Sequence, residues 1–215
     1  MRSDLILLSR VSYRDRDVTG PRLRSLLALL AGDLRTGRSS GRLIEGLWPD
    51  EQPENPHKAL QILVSRIRSR LGADLIANTP TGYRLALDED QVDAAMVVRL
   101  AADAARQARA GDHAASLTAA ETGLALWDGP PTEDAAPDDP LATLRADRAA
   151  TYRALSRARA LALSRLGRAA EAYEPLSELA ALRPRDEELL LELLRAEAAT
   201  AGPAAALDRF EGYRS

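Results

Sequence analysis

An α+β domain followed by an all-α domain is the fold class this sequence predicts, and three observations carry the prediction. Short β-rich runs occur only in the first part of the chain, at residues 5–9, 11–18 and on either side of Pro80-Thr81-Gly82. Between them lie three segments of helical periodicity, the last being the basic stretch NPHKALQILVSRIRSRLG at 55–72. From Val92 onward nearly everything outside Gly and Pro punctuation is a helix former.

In chain order, residues 5–9 and 11–18 read as strands of a small antiparallel sheet. Thr19-Gly20-Pro21 opens a helix, with Thr19 or Gly20 as cap and Pro21 near the first position, and RLRSLLALLAGD gives it an apolar face ending at Gly32. Residues 35–40 are a polar loop. Ser40 is expected to cap a second, short helix, GRLIEGLW, in which Leu43, Ile44, Leu47 and Trp48 share a face. Pro49 and Pro53 end it, and the loop WPDEQPENP leads into the basic helix, expected over 56–71.

At about 100° per residue, that helix gathers Leu60, Leu63, Val64, Ile67 and Leu71 into one stripe to be buried. Lys58, Gln61, Ile62, Ser65 and Ser69 fall opposite; Arg66 and Arg68 occupy the two shoulders, with Arg70 beside Arg66. Taken alone, such a helix is more simply a solvated surface helix. Its neighbours reverse that reading: LIANT and YRLAL form a turn-rich hairpin after Gly72, and helix, helix, longer helix, hairpin is the winged helix-turn-helix order. A neutral strip flanked by guanidinium groups then suits the major groove, the strip meeting base edges and the shoulders meeting phosphates.

Charge agrees with this division. Residues 1–87 hold 14 basic and 9 acidic side chains, whereas 88–215 hold 15 and 23, so an anionic partner belongs with the first part. The change falls at Asp88-Glu89-Asp90, where a domain boundary is expected, giving domains 1–88 and 89–215. There is no cysteine, hence no thiolate chemistry. The four-residue apolar run near the N-terminus is too short for a signal peptide, and no transmembrane segment occurs, so a cytoplasmic, soluble protein is expected. His57 and His113 lie far apart without a ligand cluster, the acidic segments DEQPE and EDAAPDD read as solvated loops, and no GxxxxGK[ST] loop occurs. No catalytic residue, metal or cofactor is expected. Trp48 and Trp127 end apolar helices and are read as core.

In the second half, helices are expected at 93–110, 114–127, 141–166, 169–182, 187–200 and from Ala204 on, with an irregular acidic loop over 128–140. GRAAEAYEPLSELAALRP has small residues where helices cross and a closing proline, and Gly202-Pro203 follows Gly167 by 35 residues, near the roughly 34-residue tetratricopeptide period. A tetratricopeptide-like helical repeat domain is therefore expected.

RLRSLLALLA, LIEGLW, ALQILVSRIRSRLG and TPTGYRLAL together resemble the DNA-binding domain of OmpR-type winged-helix regulators, and in particular the SARP family, the Streptomyces antibiotic regulatory proteins. Arg66-Ile67-Arg68 and Gly82-Tyr83-Arg84 stand where that family ends its recognition helix and closes its wing. The chain departs from the pattern at Thr79, where many relatives carry a basic wing residue, and in lacking a glycine-proline turn in the first strands. ALWDGPP at 125–131 and the terminal LDRFEGYR are similar to the bacterial transcriptional activator domain that follows the winged helix in these regulators.

The resemblance implies a DNA-binding transcriptional activator of secondary-metabolite or other specialised gene clusters, and not an enzyme. It would bind promoter direct repeats as a homodimer or head-to-tail pair. DNA contacts are expected from Lys58, Gln61, Ile62, Ser65, Arg66, Arg68, Ser69, Arg70, Thr79 and Arg84, and contact with RNA polymerase from the acidic loop residues Asp50, Glu51 and Glu54. A helical-repeat adaptor whose winged helix meets protein rather than DNA is the alternative. The sequence has no receiver domain before the winged helix, so control through abundance, the helical domain or further chain is expected. The last helix, with Ala206, Leu207, Phe210 and Tyr213 at helical spacing and no stop signal, is expected to continue.

Overall fold

The computed structural model describes residues 3–131 and 138–214. Most of the acidic segment EDAAPDD therefore lies outside the described residues. Contacts group the chain into two compact units, 1–98 with 126–150, and 99–125 with 151–215. This grouping is not a single cut at 88: helices that begin in one unit end in the other.

In the first unit, β1 (Leu5–Ile6), β2 (Ser12–Tyr13) and β3 (Arg16–Asp17) form an antiparallel sheet in that order. The expected single run over 11–18 is thus a hairpin. Arg14 and Asp15 make its turn in the left-handed region, at φ 46° and 65°, without the glycine or asparagine that would announce it. Helix α1 (Pro21–Gly32) has Pro21 in its first turn, as expected, and buries Leu23, Leu26, Leu27 and Leu30. The polar loop contains a strand, β4 (Arg38–Ser39). The cap of α2 (Ser40–Leu47) is Ser39 rather than Ser40: the Ser39 hydroxyl accepts from the Arg42 amide.

Helix α3 (Pro56–Leu71) has the expected bounds. β5 (Ile76–Asn78) and β6 (Gly82–Leu85) follow, and a sheet of order β4-β6-β5 results. Gly82 is dictated by this pairing, because a Cβ there would stand 2.2 Å from the Arg38 carbonyl oxygen. After a 3-10 turn at Glu89–Gln91 comes α4 (Asp93–Arg109). Asp93, at its start, is buried. Its carboxylate accepts from the amides of Leu7 (2.9 Å to each oxygen), Leu8 (2.9 Å) and Ala94 (2.6 Å). Burial pushes this carboxyl up to about 6, against the pull of those amides and of Arg145. Arg145 itself donates to the carbonyls of Leu7 (2.8 Å) and Ser9, and Arg148 to that of Ala94 (2.7 Å). Trp127 is buried, whereas Trp48 is half-buried beneath the Arg22 guanidinium, 5.8 Å from its ring.

The second unit is helical: the latter part of α4, α5 (His113–Leu124), the latter part of α6 (Pro140–Arg165), α7 (Ala169–Leu182), α8 (Glu187–Ala201) and α9 (Pro203–Arg214). The α7, α8 and α9 helices pack in sequence, and Ala172, Leu176, Leu189, Leu193 and Ala196 share a core with Leu161 and Leu163 of α6. Gly167 and Gly202, at φ 77° and 96°, turn the chain into α7 and α9, so the repeat read from their spacing marks real helix junctions. Arg209 of α9 grips Glu197 of α8 through two hydrogen bonds and holds that carboxyl below its usual range. No helix among the described residues is long and apolar enough to cross a membrane.

Candidate nucleic-acid interface

The basic helix forms where it does for local reasons. The Asn55 side chain accepts from the Lys58 amide at 3.0 Å, Pro56 occupies the first turn, and Gly72 at φ 143° ends it. Leu60, Leu63, Val64 and Ile67 are buried, while Leu71, expected in the same stripe, is half-buried. Burying that stripe orients everything opposite. Lys58, Gln61, Ile62, Ser65, Arg66, Ser69 and Arg70 are all exposed, and Ile62 keeps 44% of its surface in solvent. An isoleucine held out in water by a rigid helix has an apolar surface available to a partner such as a thymine methyl.

Arg68 behaves differently from the other basic residues of the helix. Its Nε and Nη2 donate to the Ile76 carbonyl at 3.0 and 2.7 Å, and Nη2 also to Asn78 Oδ1 at 2.9 Å. It is half-buried and turned onto β5, so its donors tie the helix to the hairpin. Sequence placed Arg68 on a shoulder by angle alone; the acceptors that claim it lie eight and ten residues later.

On the hairpin, Thr79 closes the turn rather than standing free. Its hydroxyl accepts from the Gly82 amide at 2.9 Å, and its own amide donates to the Gly82 carbonyl at 2.9 Å. Arg84 is exposed, with one long hydrogen bond to the Leu85 carbonyl at 3.4 Å. Asp50, Glu51 and Glu54 are exposed on the loop between α2 and α3, and none makes an ion pair among the described residues. The structure thus brings seven of the ten expected contact residues onto one helix face and places Thr79 and Arg84 on the wing.

Arg42, which is not among the expected contact residues, is also exposed, in the first turn of α2, with no acidic partner among the described residues.

The bacterial transcriptional activator domain family matches residues 92–215, more than half of the chain. The chain belongs to that family. The Regulatory protein AfsR of Streptomyces griseus is 32% identical over 111 residues, 51% of this chain and 11% of that protein. AfsR of Streptomyces coelicolor is 35% identical over 124 residues, 55% of this chain and 12% of that protein. The Transcriptional regulator RedD of Streptomyces coelicolor is 30% identical over 132 residues, 58% and 37% respectively. The chain therefore spans a minor part of the length of the curated relatives it matches. Mycobacterium tuberculosis EmbR, solved in complex with a low affinity phosphopeptide, shares the fold over 99% of this chain and 59% of its own, with a TM-score of 0.74 at 24% identity. The SARP-type resemblance is borne out by these matches, as is the two-part α+β and all-α architecture. The family and these relatives are transcriptional regulators, not enzymes.

Proposed function

We propose that this protein is a sequence-specific, DNA-binding transcriptional activator that reads a major groove with the exposed face of α3. The observation that carries the reading is that face itself: Gln61, Ile62, Ser65 and Ser69 form a neutral strip, with Lys58, Arg66 and Arg70 beside it and no ion pair on any of the three among the described residues. Gln61 has the two-sided amide that matches adenine, Ile62 an apolar tip for a thymine methyl, and the serines short hydroxyls for base edges. The basic side chains supply the sequence-independent affinity. Arg84 on the wing adds a cation beyond the helix, and Arg68 holds the wing against it.

The acidic loop of Asp50, Glu51 and Glu54 is repelled by phosphate, and its role in this reading is to contact RNA polymerase. Targets would be promoters of specialised gene clusters, bound as direct repeats by a pair of protomers. Selection of duplexes from a random library by the purified protein tests the reading. A recurring element, enriched as tandem copies and bound with an affinity that falls steeply with salt, is expected. Recovery of no common element would overturn it and favour the adaptor reading.

A further inference from the structure

Four exposed or half-buried arginines of the first unit are neutralised by carboxylates. Arg10, Arg14, Arg35 and Arg38 pair with Asp15, Asp4, Glu89 and Asp33, at 3.2, 3.2, 2.6 and 2.5 Å. Arg66 and Arg70 on α3 have no carboxylate partner among the described residues, and neither has Arg16 of β3. Arg16 and Arg70 meet at one place in the fold, with Arg66 one turn away on α3. The Arg16 Nη1 donates to the Arg70 carbonyl at 3.3 Å, which sets its exposed guanidinium at the C-terminal end of α3, one turn beyond Arg66. Arg16 and Arg70 both line a cleft of about 80 Å³, which Thr19 lines as well. Asp17 reaches the same cleft, yet forms no ion pair with either guanidinium among the described residues. Cations placed near one another without counter-ions repel, and a phosphate backbone relieves that repulsion.

We propose that Arg16 of β3, with Arg70, forms a phosphate-gripping edge that extends the DNA contact of α3 onto the N-terminal sheet. The sheet, in this account, is part of the DNA-binding surface and holds the backbone of the strand flanking the groove that α3 reads. The inference rests on the DNA-binding reading of α3 and adds an element to it. A bland role exists for the same contact, since a cation at a helix C-terminus stabilises the helix by capping its carbonyls.

Charge and capping separate experimentally. The full chain is titrated by fluorescence anisotropy with a duplex carrying the selected element and with a random duplex, between about 50 and 200 mM salt. Arg16→Gln keeps a donor and removes the charge; Arg16→Lys keeps the charge. Arg10→Gln, whose wild-type residue is already paired with Asp15, serves as the control. Each variant's thermal unfolding is recorded alongside. Arg16→Gln should weaken both duplexes by similar factors and flatten the logarithmic salt slope by about 0.9, so that the wild type loses roughly 3.5-fold more affinity than the variant across that salt range. Arg16→Lys and Arg10→Gln should keep the wild-type slope. An unchanged slope for Arg16→Gln, or a loss for Arg16→Lys equal to that of Gln, overturns the phosphate assignment and leaves Arg16 a helix cap. Failure of the wild type to bind either duplex would instead remove the DNA reading on which the inference stands.

Discussion

Replacing Asp93 tests how the first unit is tied together. Its carboxylate satisfies three buried amides, those of Leu7, Leu8 and Ala94, and the first two lie 86 and 85 residues earlier in the chain. Asp93→Ala strands all three donors, at about 1–3 kcal/mol each. The loss is offset by removing a carboxylate that burial already penalises. With its value raised from 3.8 to about 6, ionisation of Asp93 costs the folded state about 3 kcal/mol at neutral pH. The alanine variant should therefore lose about 3 kcal/mol net at pH 7.5.

Asp93→Asn separates the two effects, since it keeps one acceptor oxygen and cannot ionise. A raised folded-state value means that the carboxyl's contribution to stability is fully present below about 3.8 and is lost as the pH rises through about 6. The asparagine variant lacks that dependence. It should be less stable than the wild type at pH 5 and closer to it, within about 1 kcal/mol, at pH 7.5. Urea unfolding followed by tryptophan fluorescence suits the measurement, because both tryptophans, Trp48 and Trp127, belong to the first unit. An asparagine penalty that is the same at both pH values would refute the burial argument. An alanine penalty under about 0.5 kcal/mol would show that the amides find other acceptors.

Three further outcomes follow from the site. Arg68→Ala should lower stability by about 1–2 kcal/mol through loss of the tie to Ile76 and Asn78, and weaken DNA binding with the salt slope intact; a flatter slope would restore Arg68 to the phosphate contacts. Gly82→Ala places a methyl 2.2 Å from the Arg38 carbonyl and should cost about 3 kcal/mol or more in thermal unfolding, whereas a neutral result would mean that β4 does not pair as described. Replacing Asp50, Glu51 and Glu54 together by alanine should leave promoter affinity within about twofold and reduce transcription in a reconstituted assay, and a parallel fall in affinity would make the loop structural.

The α3 helix was legible because its signals are local: Asn55-Pro56 starts it, Gly72 stops it, and the apolar spacing between them fixes the buried side. The helical half was legible for the same reason, its junction glycines Gly167 and Gly202 standing at the turns. Non-local structure was not. β4 exists because Arg38 and Ser39 pair with Tyr83 and Gly82, more than forty residues away, and nothing in a polar loop announces that. The β2–β3 turn uses Arg14 and Asp15 in a conformation that favours glycine, so its two-residue strands merged into one apparent run. Asp93 stands in the sequence only as the first residue of an expected helix, and Arg68 as one shoulder of a basic face. In each case the partner that gives the residue its role comes from another element.

Specific recognition by α3 is the central claim, and Gln61 is its sharpest test, being exposed on the strip and uncharged. The affinities of wild type and Gln61→Ala are compared on the selected duplex and on a random one at a single salt concentration. The account predicts a loss of about 1–3 kcal/mol, roughly 5- to 150-fold, on the selected duplex, with binding to the random duplex unchanged within about twofold. Equal losses on both duplexes, or none on either, would contradict it.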